Sequence, residues 1–187
     1  MSYIINNYAA PTSLTNIVNY FKNSEKVSIQ RRTIASYIQL LVNAKVLYKC
    51  SRFDLKSRKS LRGEEKYYLA DSGIYFARNV DIRPSYGPAL ENMLYLYLRA
   101  HEYKLSIGRI GTFECDFIAR KRNTYAYIQV AMSIVQKEVE EREYRPFKKI
   151  QDGYPRYLFT LDHLPLEREG VHHMNIIDFM SNNKELF

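Results

Sequence analysis

Three segments of the chain carry side chains of the kind that bind a magnesium ion during phosphodiester cleavage. Glu91 lies on a predicted helix, Glu114 and Asp116 lie on a predicted strand, and Gln129 lies on the next strand. Magnesium prefers carboxylate and amide oxygens, and hydrolysis also needs a group that activates water. Because strand residues two apart point to one face, Glu114 and Asp116 should present their carboxylates together. We therefore predict Glu91, Asp116 and Gln129 as catalytic and metal-binding residues, with Glu114 nearby.

The cation that would accompany a metal-bound water is absent from its expected position. Gln129 and Ala131 share one face of their strand. The strand resembles the Glu/Gln-x-Lys motif of PD-(D/E)XK nucleases, which implies that the lysine that stabilises the developing charge would stand at Ala131. Loss of one such group commonly costs on the order of 10²–10³ in rate. We therefore predict no appreciable phosphodiesterase activity, unless Lys137 or Arg142 reaches the site from further along the chain.

Two alternatives to a degenerate site stay open on the sequence alone. Lys137 could replace the missing lysine, which would make the chain an active Mg²⁺-dependent nuclease. The acidic residues could instead form a buried network with arginines, and the candidates are Arg99, Arg109 and Arg142.

ATP binding through a phosphate-cradling loop is excluded. Such a loop needs the pattern Gly-x-x-x-x-Gly-Lys-Ser/Thr, in which backbone amides and the lysine hold the phosphates. None of the seven glycines is followed by another glycine five positions later. ATP is therefore not expected as a cofactor, and Mg²⁺ is the candidate that the acidic residues leave.

Positive charge is concentrated in the first half of the sequence. Residues 1–85 contain 14 Lys+Arg and 6 Asp+Glu, whereas residues 86–187 contain 14 of each, so the whole net charge of +8 lies before residue 86. This asymmetry is typical of a nucleic-acid-binding module joined to a neutral one. A basic domain that is merely soluble is the alternative.

The first 70 residues have the pattern of a winged helix-turn-helix. Apolar spacing predicts helices over 13–22 and 29–44, and a further helix over 3–8. Two short strands, 46–53 and 66–69, then enclose a basic loop. In this layout Arg31, Arg32 and Ser36 face away from the stripe formed by Ile34, Tyr37, Ile38 and Leu41 and enter a DNA groove. The loop residues predicted to contact phosphates are Lys56, Arg58, Lys59 and Arg62.

A linker over 71–86 and an α/β domain over 87–187 complete the predicted organisation. The domain should contain elements in the order αβββαβ: a helix at 88–102, strands at 104–109, 113–119 and 125–131, a helical region at 136–150 and a strand at 156–161. Pro146 should interrupt the helical region. The predicted class is therefore α+β or α/β.

Cysteine usage and hydropathy predict a cytoplasmic protein. Cys50 and Cys115 fit no metal or redox spacing and are expected to be buried, reduced thiols. No apolar run reaches membrane-spanning length, and the N-terminus lacks a signal-peptide pattern, so no membrane partner is expected.

Several segments together resemble the C-terminal region of prokaryotic AAA+ ATPases. The segments are 33–38, 52–56, 66–74, 87–92, 114–118, 127–131 and 142–143, and their order and spacing carry the resemblance. It implies a winged helix followed by a domain of unknown function in the PD-(D/E)XK nuclease superfamily, with the ATPase module as a missing N-terminal partner. The Gln-Val-Ala of residues 129–131 departs from the Glu-x-Lys of active nucleases.

Three functions are compatible with these observations. The first is a DNA-binding accessory region of an AAA+ ATPase with a degenerate nuclease-like domain. The second is the active nuclease with a displaced lysine. The third is a protein-interaction module in which the fold serves as a docking surface.

Overall fold

The computed structural model describes residues 1–55, 57, 59–79, 86–110, 112–163 and 167–187, without the side chains of 61 and 62. Its helices are α1 (Ser2–Asn6), α2 (Leu14–Asn23), α3 (Arg31–Asn43), α4 (Gly73–Arg78), α5 (Tyr86–Ala100), α6 (Lys137–Tyr144) and α7 (Ile176–Ser181). Its strands are β1 (Leu47–Asp54), β2 (Lys59–Leu69), β3 (Lys104–Ile110), β4 (Phe113–Lys121), β5 (Thr124–Val130), β6 (Arg156–Thr160) and β7 (Val171–Asn175). The predicted mixed α+β class is confirmed.

The chain divides into two compact units whose boundaries differ from the predicted domains. Unit 1 contains Met1–Ser51 and Arg62–Pro84, and unit 2 contains Arg52–Leu61 and Ser85–Phe187. Residues 52–61 belong to unit 2 because Arg52–Asp54 of β1 pair in parallel with β3. Counted by these units, unit 1 has 10 Lys+Arg and 5 Asp+Glu, and unit 2 has 18 and 15. The net charge is therefore +5 and +3, a weaker asymmetry than the division at residue 85 indicates.

Helix α2 begins where the sequence predicts it, because Ser13 caps it. The Ser13 hydroxyl accepts a hydrogen bond from the Asn16 N–H at 3.1 Å, which satisfies one of the free donors of the first turn. Ile17 is buried at the centre of the helix. The first of the two predicted central helices is thus confirmed within one residue.

Helix α3 is also confirmed, but its apolar stripe is narrower than predicted. Ile34 and Ile38 are buried, whereas Tyr37 is 59% exposed and Leu40 is 62% exposed. Tyr37 lies about 60° around the helix from Ile34, at the edge of the buried face. The prediction that Tyr37 belongs to the core is therefore wrong.

A short helix occupies part of the segment predicted as a linker. Helix α4 packs on α1: the Arg78 guanidinium donates to the Ser2 hydroxyl at 2.9 Å, and the rings of Tyr8 and Tyr75 lie 5.0 Å apart. The segment looked like a linker because Gly73 and scattered charges obscure a helix of only six residues. These contacts make residues 73–78 an integral part of unit 1.

Unit 2 is built on a mixed sheet with the strand order β1-β3-β4-β5-β6-β7, to which β1 contributes its last three residues. Strands β3, β4 and β5 are antiparallel neighbours, and β5, β6 and β7 are parallel neighbours. The predicted order αβββαβ is present as α5-β3-β4-β5-α6-β6. Strand β7 was not predicted, because its Val-His-His-Met-Asn sequence alternates weakly.

Helices cover both faces of this sheet. On one face the α5 ring of Tyr95 lies 6.0 Å from Phe117, and the α7 ring of Phe179 lies 4.8 Å from Phe159. On the other face, residues of α6 and of the 3-10 turn Phe147–Lys149 join a core that includes Ile118, Tyr127, Tyr144, Phe147 and Leu158. Helix α6 ends two residues before Pro146, as predicted.

The cysteine prediction is confirmed in its structural part. Cys50 and Cys115 are both buried and form no disulfide. Within the described ranges, no helix combines the length and the apolar character needed to cross a membrane.

Candidate functional site at a fork between two strands

Strand β4 contains an irregularity beside the predicted acidic residues. Ser106 pairs with Ile118, but Gly108 pairs with Cys115, so β4 has one more residue than β3 between these two pairs. An extra residue of this kind is a β-bulge, which is common beside functional sites and re-aims the neighbouring side chains. Cys115 and Ile118 consequently enter the same buried cluster. The simple alternation from which we predicted that Glu114 and Asp116 share a face therefore does not hold here.

Beyond the bulge, side chains replace the backbone pairing between β4 and β5. Regular pairing of the two strands extends from Lys121↔Thr124 to Phe117↔Ile128. At the next position the Gln129 Oε1 accepts a hydrogen bond from the Asp116 N–H at 2.7 Å, and the Asp116 Oδ2 accepts one from the Val130 N–H at 3.0 Å. The two strands part at this point, which we call the fork, and the structure brings Asp116 and Gln129 together there as predicted.

Helix α6 adds a carboxylate to the fork that the sequence analysis missed. Glu143, which is 6% exposed, accepts a hydrogen bond from the Gln129 Nε2 at 2.9 Å. Its other oxygen accepts two from the Arg142 guanidinium, at 2.8 Å from Nε and 2.7 Å from Nη2. The signal that could have revealed Glu143 is its position four residues after Val139, on the apolar side of α6.

Burial controls the protonation of Glu143. Desolvation raises the pKa of the Glu143 carboxyl above its usual value, and the charge of Asp116 raises it further. The hydrogen bonds from Arg142 and Gln129 act in the opposite direction but are weaker in total. Asp116 and Glu143 thus oppose each other electrostatically, and Gln129 bridges them by donating to one and accepting from the backbone of the other.

The remaining predicted acids lie in other environments. Glu114 forms an ion pair with Arg52 at 2.6 Å, with both side chains partly buried. This pairing has the character of the predicted acid–arginine network, with Arg52 as a partner that the sequence analysis did not name. Glu91 lies half-buried on α5.

The donor set at the fork does not fit a magnesium ion. Magnesium needs several oxygens that converge on one open position, but Gln129 Oε1 and Asp116 Oδ2 both accept backbone hydrogen bonds. Arg142 adds a positive charge to the third acid, Glu143. No group of three or more His, Cys, Asp or Glu residues suited to a metal occurs among the residues described.

The structure shows where the expected lysine position and its two candidate replacements lie. Ala131 is buried just after β5, where its apolar side chain packs into the core. Lys137 is exposed at the first position of α6. Arg142 does reach the fork, but its guanidinium is committed to Glu143. The arrangement can hold the two strands apart at the fork.

The predicted nucleic-acid contacts are described only in part. Arg31, Arg32 and Ser36 are exposed on α3, and the Ser36 hydroxyl donates to the Arg32 carbonyl at 3.0 Å. Lys59 is exposed at the start of β2, which begins seven residues before the predicted strand 66–69, so Lys59 belongs to a strand and not to the predicted loop. Lys56 and Arg58, and the side chain of Arg62, lie outside the described residues.

Comparison with known proteins places this chain beside proteins without an assigned activity. Residues 1–82 match a family described as a domain of unknown function, DUF8612, and this range spans α1 to α4. The chain is similar to an "Uncharacterized protein" of Haemophilus influenzae, with 28% identity over 171 residues. The similar region covers 91% of this chain and 41% of that relative, so the chain spans about two fifths of the relative's length. No solved structure matches the chain.

Proposed function

We propose that this chain is the DNA-binding accessory region of an AAA+ ATPase. In this proposal residues 1–70 are a winged helix that binds duplex DNA, and residues 87–187 are a degenerate PD-(D/E)XK nuclease-like domain that does not cleave it. The ATPase context is supported by the sequence resemblance. It is also compatible with the greater length of the Haemophilus influenzae relative.

The observation that carries the DNA-binding part is the orientation of α3. Ile34 and Ile38 anchor one side of the helix in the core, so Arg32 and Ser36 face solvent from the other side. Arg31 is exposed at the first position of the helix. Gln39 and Asn43 lie on the same exposed side and are hydrogen-bonded to each other at 2.8 Å. Arginine, glutamine and asparagine are the residues that read base edges and phosphates in a major groove.

Support for a non-cleaving nuclease-like domain comes from the fork. Its predicted catalytic groups, Asp116 and Gln129, hydrogen-bond to backbone and to Glu143. Positioned catalytic groups must instead be aimed at the reacting atoms, and one missing charge-stabilising group costs on the order of 10²–10³ in rate. The fork therefore supports a structural role for these residues.

Fluorescence anisotropy on a labelled duplex at several salt concentrations tests DNA binding. The double variant Arg31→Gln/Arg32→Gln should bind more weakly, and its log–log salt slope should fall by about one unit for each phosphate that the variant no longer neutralises. The matched control Arg145→Gln/Lys184→Gln removes two exposed charges from unit 2 and should leave both quantities unchanged. Equal losses in the two double variants would reduce the effect to net charge and contradict the proposed role of α3.

The basic loop has a separate test. Replacing Lys56, Arg58, Lys59 and Arg62 together with glutamine should flatten the salt slope by up to about four units. An unchanged affinity and slope would remove this loop from the DNA interface while leaving α3 in place.

A nuclease assay tests the absence of cleavage. Single-stranded, duplex and branched DNA should survive incubation with the chain in Mg²⁺ or Mn²⁺, with Asp116→Ala and Lys137→Ala as comparison variants. Cleavage that disappears in both variants would establish the alternative, an active nuclease in which Lys137 replaces the missing lysine.

A protein-interaction module is the second candidate function, and the exposed apolar pair on α3 favours it. Tyr37 and Leu40 together present a hydrophobic patch, and such patches often mark protein contacts. This function predicts that the wild-type chain shows no saturable, salt-dependent binding to duplex DNA. It also predicts that Tyr37→Ser/Leu40→Ser abolishes association with the ATPase part of a longer relative.

A further inference from the structure

An aromatic pocket of about 550 Å³ lies in unit 2 at the other end of β5 from Gln129. Tyr125 of β5 and Tyr154 of the loop before β6 form one wall, with ring centroids 5.3 Å apart and an interplanar angle of 62°. Phe53, Leu55 and Ile110 are partly buried and form the apolar remainder. A volume of this size and an apolar lining with few polar groups are typical of small-molecule sites.

The loop that carries Tyr154 is held firmly against the sheet. The Tyr127 hydroxyl donates to Asp152 Oδ2 at 2.5 Å, and the Tyr154 N–H donates to Asp152 Oδ1 at 3.2 Å. The Arg156 guanidinium donates to the carbonyls of Ile150 and Asp152, at 2.9 and 3.1 Å. The pocket is therefore preformed, which reduces the entropy that a ligand would lose by ordering it.

The charges around the pocket favour an anion. A second cavity of about 240 Å³ also contacts Phe53 and Tyr125 and adds Lys104, Arg120 and two serine hydroxyls, Ser60 and Ser106. Lys149 lines the first cavity, where Asp152 is the one carboxylate among the described lining residues. Both Asp152 oxygens accept hydrogen bonds from the protein. Aromatic cages often bind cations. Here a cationic ligand would be repelled by Lys104, Arg120 and Lys149, and the Asp152 carboxylate already accepts hydrogen bonds from the protein.

We infer that this pair of cavities binds a nucleotide, with the base in the Tyr125–Tyr154 pocket and the phosphate beside Lys104 and Arg120. Aromatic rings stack on any base, whereas cations and hydroxyls hold phosphate oxygens. The Arg120 guanidinium lies 6.0 Å from the Tyr125 ring centroid, so the anion-binding and base-binding parts are adjacent. The nucleotide is either a free mononucleotide or an unpaired nucleotide of a single strand.

Titration calorimetry with adenosine 5′-monophosphate and adenosine tests the inference, and anisotropy of a labelled single-stranded d(A)6 tests its second source. The wild-type chain should bind both phosphate-bearing ligands saturably. Tyr154→Ala and Tyr125→Ala should each weaken binding at least tenfold, because each removes a stacking ring. Arg120→Gln should lower the affinity for adenosine 5′-monophosphate at least fivefold and the affinity for adenosine less than twofold.

Two matched variants and a folding measurement complete the design. Tyr86→Ala removes another exposed ring, 55% exposed, and Arg122→Gln removes an exposed cation two residues from Arg120, so both should bind like the wild type. Circular dichroism verifies that Tyr125→Ala folds, and Tyr154 is exposed enough for its variant to fold in any case. The inference rests on neither α3 nor the fork, so loss of duplex binding in the α3 variant leaves it standing.

Each outcome bears on the inference. Binding of d(A)6 at least ten times tighter than the monophosphate identifies a strand as the source, and the reverse identifies a free nucleotide. Absence of saturable binding of both ligands to the wild type, or wild-type affinity in Tyr154→Ala, overturns the site. If Arg120→Gln lowers the affinities for adenosine and for its monophosphate equally, the proposed position of the phosphate beside Arg120 is wrong.

Discussion

Strand β5 contributes to two regions of opposite character, a buried hydrogen-bond network at Gln129 and an aromatic cavity at Tyr125. At Gln129 it supplies a buried amide whose hydrogen bonds join the Asp116 backbone and Glu143. At Tyr125 it supplies a half-buried ring that faces a cavity, with basic side chains around it. Polar groups that satisfy each other inside a protein hold it in one conformation. Aromatic rings and cations that face a cavity remain available to a ligand.

This comparison changes where a search for function should concentrate. The fork has the residue types of a catalytic site but hydrogen bonds typical of a structural network. The Tyr125–Tyr154 pocket has ordinary residue types, yet its geometry suits a ligand. The comparison predicts that fork variants chiefly change stability, whereas pocket variants chiefly change binding.

The largest stability effect should follow from removing the bridging amide. Gln129→Leu leaves the Asp116 N–H and one oxygen of the buried Glu143 carboxylate without a partner, at a cost of about 2–4 kcal/mol in the free energy of unfolding. Urea denaturation measures this cost. Gln136→Leu, an exposed glutamine at the start of α6, is the control and should change stability by less than about 0.5 kcal/mol. Equal costs at the two positions would show that the fork is not a stabilising network.

An intermediate effect should appear where the pocket depends on a buried hydrogen bond. Burial and Asp152 raise the pKa of the Tyr127 hydroxyl, so it is a proton donor throughout the neutral range. Tyr127→Phe removes its bond to Asp152 and should cost about 1–2 kcal/mol in denaturation experiments. The variant should also weaken the binding of adenosine 5′-monophosphate, because the loop that carries Tyr154 loses one of the hydrogen bonds that hold it against the sheet. Tyr154→Phe, which keeps the ring, should change neither quantity, and a loss as large as that of Tyr127→Phe would contradict the assignment.

A smaller, pH-dependent effect should arise at Glu143. Because burial raises its folded-state pKa above the usual 4.5, the folded protein holds this proton more tightly than the unfolded chain. The stabilisation is fully present below pH 4.5 and is lost as pH rises through the folded-state pKa. Glu143→Gln does not titrate, so its stability relative to the wild type should improve between pH 4 and pH 7. Denaturation at pH 4, 5, 6 and 7 measures the difference, and a constant or falling difference would refute the raised pKa.

The smallest stability effect should accompany the largest binding effect. Tyr154 is 38% exposed on a loop, so Tyr154→Ala should change the free energy of unfolding by less than about 1 kcal/mol. The same variant should lose at least ten times in affinity for adenosine 5′-monophosphate. Together with Gln129→Leu, this variant separates the roles of the two regions. Gln129→Leu should lower the stability of the protein, whereas Tyr154→Ala should lower its affinity for the ligand. A destabilisation of several kcal/mol by Tyr154→Ala would erase the distinction.

Most elements of the fold were predictable because they depend on interactions between residues close in sequence. The Ser13 cap and the apolar spacing of α2 are short-range features, and both are present. Helix α4 and strand β7 were missed, because each is stabilised by neighbours distant in sequence. In the same way, pairing of Arg52–Asp54 with β3 assigns residues 52–61 to unit 2, which no local pattern could indicate.

The sequence by itself determined the mixed α+β class, the order of α5 to β6, and the meeting of Asp116 with Gln129 on neighbouring strands. Tertiary structure alone decided what these residues do when they meet. The bulge in β4 changes the directions of the acidic side chains beside it. Glu143 of α6 hydrogen-bonds to Gln129, and Arg52 forms an ion pair with Glu114. Tyr125 and Tyr154 likewise meet only when the loop before β6 folds back. Residue types and spacing define which groups share an element, but hydrogen-bond partners and cavities depend on contacts between elements, and these require the folded chain.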